Sequence, residues 1–470
     1  MPESQNRKTL FQPIVAREKL HPDFECLRTS PGAEPARRML DEIYQDFDDP
    51  EGNFLEQFQT TGFDARYFEL YLFTYFSRSG FVVDRSHPNP DFLVSRDRLI
   101  VAVEATTVNP STSGALSKLR KKIGELSPEE LREYLQNELP IRFGSPLFSK
   151  LKKRYWELEH CHGIPLVLAI EAFHEDESLA LSDYALTQYL FGLKQSGSWS
   201  PLGTLQIETT ELQEHQVGDK CIPSNFFSQP DAEHISAIIF TNSGTNAKFA
   251  RMGYQHGIGC DVIDMTRIGF CYNQDPDAMD PTFFSYNLDE PPLVEPWGQG
   301  LVVLHNPNCL HPVPRDFFVH ALQGYVEDGI FKANYQGWHP IWSKTLILYL
   351  GDVKKELAKR LPRRTPRHAI GAITKQEFQA TCGFAVPDPN PISEEHGWFS
   401  DETGTFLGVI IRDKIDNDWG YVVLARDQYF QFRAIKVESS LPTRDQARIE
   451  LQLKIAELLS FPQRIFPQRG

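Results

Sequence analysis

The strongest constraint in this chain is the order of its apolar runs. FDARYFELYLFTYFSRSG (63–80) is apolar nearly all round at helical period and stops at Gly80, the pattern of a buried helix with a glycine end. Three runs of strand character follow: FVVD, PDFLV and LIVAVEATTV, with SRDR as the turn between the last two. GSPLFSKLKKRYWELEH then opens a helix that the spacing predicts to be capped by Ser145, with Pro146 in its first turn. Its apolar stripe is Leu147, Leu151, Tyr155 and Leu158. IPLVLAIEAF (164–173) reads as a buried strand, SLALSDYALTQYLFG as a helix and HISAIIF (234–240) as a further strand. Helix, three strands, helix, strand, helix, strand is the order of an α/β layer arrangement with a mixed central sheet flanked by helices.

A chain of 470 residues exceeds the size at which one hydrophobic core keeps growing. The expected division is an N-terminal helical extension over 1–60, a core over 61–270, a loop-rich middle region over 271–383 and a smaller C-terminal α+β module over 384–470. Proline and the lack of basic residues suggest loops from about 270 to 314, and DVKKELAKRLPRRTPRH (352–368) is the middle region's basic helix. In the tail, GTFLGVIIRD, WGYVVLARD and YFQFRAIKVE alternate as antiparallel strands, and TRDQ starts the closing helix as a capping box.

The net charge of −15 argues against a protein that coats nucleic acid indiscriminately. Its distribution is uneven. Residues 111–155 hold ten Lys/Arg against five Glu, and 352–368 hold seven against two acids. Such islands suit local contact with a polyanion, with Lys118, Lys121, Lys122, Lys152 and Lys153 as candidate phosphate contacts. In FTNSGTNAKFARMG (240–253), backbone N–H groups at a helix start, with Lys248 and Arg251, could grip a nucleic-acid backbone in the same way. That segment matches neither GxxxxGK[ST] nor GxGxxG, so nucleotide binding finds no support. The seven cysteines form no CxxC pair, which fits a reducing cytosol and argues against structural zinc. No apolar run approaches the ~18 residues of a membrane span and the start carries no apolar signal core, so the expectation is a cytoplasmic protein without a membrane partner.

Chemistry enters with Glu104. A carboxylate inside IVAVEATTV costs about several kcal/mol unless its charge is offset. Side chains alternate along a strand, so Ile100, Ala102, Glu104 and Thr106 share one face while Val101, Val103 and Ala105 share the other. If PDFLV pairs with this strand as a hairpin, Asp91 lies close to Glu104, and two crowded carboxylates need a proton or a cation between them. Oxygen ligands of this kind, completed by water and phosphate, suit Mg²⁺ or Mn²⁺.

Pro90-Asp91 followed by Glu104-Ala105-Thr106 resembles the PD-(D/E)XK, or restriction-endonuclease-like, nuclease superfamily over about residues 61–250. Glu69 sits where that family often carries a helical Glu. The resemblance implies metal-dependent hydrolysis of phosphodiester bonds, with Asp91 and Glu104 holding the metal and Glu69 placing a water or a second ion. It implies nucleic acid as partner, DNA favoured over RNA, and a homodimer or a defence-system protein as further partner in a setting such as bacterial antiviral defence. The family lysine is replaced by Thr106, which can hold a water but brings no positive charge. Lys150, Lys152 and Lys153 of the next helix could supply it, Lys150 being favoured. The alternatives are a catalytically inactive relative that only binds or assembles, and an unrelated α/β enzyme.

Overall fold

The computed structural model describes residues 9–110, 122–351, 371–373, 378, 393–400, 406–413, 418–426, 432–441 and much of 443–455, apart from 51, 175–176, 201–204, 260, 274–279, 290–294 and 336–337. The chain divides into two compact units. The first comprises Met1–Leu288, Glu295–Tyr335 and His339–Tyr349, the second Asp289–Val294, Gln336–Trp338 and Leu350–Gly470.

The first unit is mixed α/β, built on an eight-stranded sheet. Its strands are β1 (Val82–Asp84), β2 (Phe92–Arg96), β3 (Leu99–Val108), β4 (Leu166–Ala172), and then Ala237–Thr241, Leu301–His305, Leu322–Glu327 and Ile330–Asn334. They lie side by side in that same order. β1, β2 and β3 are antiparallel neighbours, while β3, β4 and Ala237–Thr241 run parallel. Helices α1 (Pro22–Thr29), α2 (Glu34–Gln45), α3 (Phe54–Gln59) and α4 (Phe63–Arg78) pack on one face. Helices α6 (Leu139–Leu151) and α7 (Tyr184–Phe191) pack on the other, after the short α5 (Pro128–Glu133); α8 (Asn246–Gln255) joins the first layer. β3 obeys its alternation: Val101 and Val103 point into the α4 layer, and Ala102 and Val108 into the α6 layer.

Helix α4 shows why a run apolar all round is buried. Phe68, Leu70, Tyr71, Leu72, Tyr75 and Phe76 are fully covered, each large apolar side chain contributing about 1.5–3 kcal/mol. The helix stops at Ser79, and Gly80 takes the left-handed conformation at φ 83° that a side chain resists.

Three expectations change. The described residues between 9 and 60 are no appendage, because Phe24, Leu40, Phe54 and Phe58 lie in the same core as α4. The region after 270 is no loop boundary: three of the main-sheet strands come from it. In addition, Ile263–Cys271 pairs with Thr282–Asn287 on one side and Pro340–Tyr349 on the other as a separate three-stranded sheet. Short strands paired across long sequence gaps leave little local periodicity to read. Finally, α6 begins at Leu139, so Pro146 lies inside it and Ser145 donates its hydroxyl to the Ile141 carbonyl instead of capping. A capping box not foreseen in the sequence forms at SPEE, the start of α5, where Ser127 Oγ accepts from Glu130 N and Ser127 N donates to the Glu130 carboxylate.

The second unit is built on a five-stranded antiparallel sheet of Gly371–Ile373, Ser393–Ser400, Phe406–Asp413, Trp419–Arg426 and Phe432–Leu441, in sequential order. Ala447, Leu451 and Ile455 are buried with it at helical spacing, and Thr443 Oγ1 accepts from Gln446 N, the capping contact expected of TRDQ. The basic segment 352–368 lies outside the described residues. Among the described residues, no helix is long and apolar enough to cross a membrane.

β4 is buried along its whole length yet contains Glu171. One carboxylate oxygen accepts from Gly244 N at 2.9 Å, and the other has no hydrogen-bond partner among the described residues. Burial holds this carboxyl protonated well above the usual carboxylate range; the Gly244 N–H opposes the shift and Asp64 adds to it. A carboxyl whose pKa rises on folding binds its proton more tightly in the folded state, so it weakens that state as pH climbs past the unfolded value near 4.5. Glu171→Gln is therefore expected to gain melting temperature relative to the parent between pH 5 and pH 8. A difference that stays constant over that range would show Glu171 ionised in the fold.

Candidate active site

The hairpin of β2 and β3 carries the two acids. Phe92 pairs with Val103, so Asp91, one residue before β2, comes opposite Glu104. Each acid is held by the other's strand: Asp91 N donates to Glu104 Oε2 at 3.1 Å, and Ala105 N donates to Asp91 Oδ2 at 2.7 Å. The other Glu104 oxygen, Oε1, accepts from Lys150 Nζ at 2.5 Å and from the Tyr155 hydroxyl at 2.6 Å. Lys150 comes from the last turn of α6, not near its start as expected, and Tyr155 from the turn just after it. Arg154, left-handed at φ 52°, makes the corner between them. Lys150 is thus the lysine that the structure brings to the pair.

The electrostatics follow from burial. Glu104 is 3% exposed. Burial and then the charges of Glu104 and Glu69 push Asp91 up to about 8, against the Ala105 N–H and Lys150, which pull it down. Burial and the Glu104 carboxylate likewise raise the Tyr155 hydroxyl, which stays a donor. The Cys161 thiol is pushed to about 11 by burial and Glu104. An acid that keeps its proton because it is buried beside a second carboxylate fits the donor set of a hard divalent cation such as Mg²⁺ or Mn²⁺.

Glu69 lies on α4, in the layer opposite Lys150. Its oxygens accept from Arg66 Nη1 at 2.6 Å and from Arg85 Nη2. Its charge reaches Asp91, but its carboxylate is bound by two arginines. Thr106 sits two residues beyond Glu104 on the same face, half-buried.

The basic candidates separate. Lys152 and Lys153 are exposed just past α6, with Lys152 Nζ 4.4 Å from the Phe148 ring centroid, and Lys122 is exposed too. Lys118 and Lys121 lie outside the described residues. Lys248 and Arg251 require correction as backbone-gripping residues, because both are buried. Lys248 Nζ donates to Glu295 Oε1 at 2.7 Å, and Arg251 Nε to Glu295 Oε2 at 2.7 Å. Their charge is turned inward, onto an acid distant in sequence. Sequence reasoning missed the roles of Tyr155 and Arg85; the one local sign was Arg85 preceding Asp91 in the same short loop.

Comparison with protein-family models, with curated proteins and with solved structures finds no match to this chain.

Proposed function

We propose that the protein is a metal-dependent nuclease of restriction-endonuclease-like fold that hydrolyses phosphodiester bonds in nucleic acid, DNA favoured over RNA, in the cytoplasm. The observation that supports this reading is the convergence of Asp91, Glu104 and Lys150 from a hairpin and a separate helix. Asp91 and Glu104 would hold Mg²⁺ or Mn²⁺, which when bound offsets charge on the phosphate and lowers the pKa of water. Lys150 Nζ supplies the positive charge absent at Thr106 and orients the attacking water. Tyr155 fixes the rotamer of Glu104 through its hydrogen bond. Lys152 and Lys153, exposed beside Lys150, contact backbone phosphates, and that contact weakens with salt. A place in antiviral defence, with a homodimer or a second defence protein, is proposed on the family resemblance alone.

The test is cleavage of plasmid, single-stranded DNA and RNA by the full chain, with Mg²⁺, Mn²⁺ or chelator, beside Asp91→Ala. The expected result is metal-dependent cutting that falls to background in the variant. A parent that cuts nothing, while metal raises its melting temperature only when Asp91 is present, would assign binding without catalysis. Metal that changes neither cutting nor melting would end the nuclease reading.

A further inference from the structure

Arg85 stands in the loop between β1 and β2, six residues before Asp91. Its guanidinium is fixed on several sides. The Phe47 ring centroid lies 3.8 Å away and that of Phe92 5.4 Å away. One terminal nitrogen donates to Glu69 and the other to the Asp48 carbonyl. The side chain is 9% exposed. Its Nε–H is buried and has no hydrogen-bond partner among the described residues. Buried donors are almost always paired, so a donor left over on an otherwise immobilised side chain calls for a partner. Phe92, whose ring packs against the guanidinium, is the residue after Asp91, and the Asp91 charge acts on Arg85, so Arg85 lies near that acid.

We propose that Arg85 is a second phosphate-contacting residue of this site, its Nε–H donating to a non-bridging oxygen of the phosphodiester held at Asp91 and Glu104. The inference rests on the nuclease reading and names one more group that touches the substrate. Asp91 and Glu104 share this site, the charge of Glu69 reaches Asp91, and a phosphodiester adds a further negative charge. Lys150 approaches Glu104 from α6, and Arg85 comes from the loop before β2. A guanidinium already oriented by two rings and two acceptors donates to a phosphate oxygen at little entropic cost. Glu69 then acts as a positioning residue: it holds Arg85 rather than metal or water.

The test compares the parent with Arg85→Lys, which keeps the charge and can still pair with Glu69 but lacks the Nε–H. Three readouts are needed: the melting temperature, its rise on adding Mn²⁺ alone, and kcat and KM on a labelled DNA substrate. Arg85→Lys is expected to keep the Mn²⁺ response while kcat falls about 10²-fold with KM little changed, the loss typical of one preorganised donor to a developing charge. If Arg85→Lys does not fold, the double variant Glu69→Gln/Arg85→Gln replaces the ion pair by a neutral hydrogen-bonded pair and is read in the same way. Parental kcat and KM in the variant would overturn the proposal alone. Loss of the Mn²⁺ response together with the rate would overturn it too, since Arg85 would then merely support Asp91. A parent that cuts nothing sinks the nuclease reading, and this proposal with it.

Discussion

Glu295→Ala is expected to be the most damaging single substitution in the first unit. Three cations converge on this one carboxylate: Lys248 at 2.7 Å, Arg251 at 2.7 and 2.9 Å, and Arg267 at 3.4 Å. Lys248 and Arg267 are fully buried, and Arg251 nearly so. Burial alone would raise the Glu295 carboxyl, but Arg251, Arg267 and Lys248 pull it well below the usual range, so it stays ionised. Removing one partner of a buried pair costs about 3–5 kcal/mol because the remaining charge is stranded. Here two guanidiniums would be stranded, and Lys248, already pulled down to about 7 by burial, would lose the carboxylate that keeps it charged, against a total stability of ~5–15 kcal/mol. Thermal and denaturant unfolding followed by circular dichroism should show the first unit unfolded, or its midpoint lowered by more than about 10 °C. A loss below about 1 kcal/mol would mean that water reaches the cluster and solvates it.

Lys150→Ala is expected to have a different profile, with the fold kept and the loss of rate the dominant effect. The Lys150 side chain is a quarter exposed but Glu104 is buried, so removing the lysine leaves that carboxylate to Tyr155 and Asp91 N alone and costs some stability as well as rate. If Lys150 supplies the charge missing at Thr106, cleavage should fall about 10²–10³-fold, the range for removing one donor to a developing charge. The Mn²⁺-induced rise in melting temperature should persist, because both carboxylates remain. Thr106→Lys in the same variant should recover part of the rate, since position 106 lies on the Glu104 face of β3. Parental cutting by Lys150→Ala would remove Lys150 from the mechanism.

What the sequence allowed a reader to foresee, and what it did not, divides along physical lines. Asp91, Glu104 and the face that they share were legible because strand alternation is local and the two strands are joined by a short turn. Lys150 was legible as a nearby cation, but its approach was not. Pro146 looks like a helix start, whereas Ser145, bonded to the Ile141 carbonyl, sits within a helix already under way. Lys248 and Arg251 had the pattern of a phosphate grip at a helix start. Their fate was decided by Glu295, more than forty residues on, and no local pattern announces a partner so distant. The same holds for Leu301–His305 and Leu322–Glu327, short apolar runs among prolines whose role depends on an open edge left by Ala237–Thr241.

The order of the main sheet has a bearing on synthesis. Its strands stand in space in the order in which they leave the ribosome, from Val82 to Asn334. Each newly emerged strand finds the previous one at the growing rim, and none has to wedge between strands already joined. The acidic hairpin, made after helices α1 to α4, is complete before any of its parallel neighbours emerges. Lys150 follows when α6 emerges, and each edge that β4 and its successors leave open is covered by the next strand in line rather than left to pair with another chain.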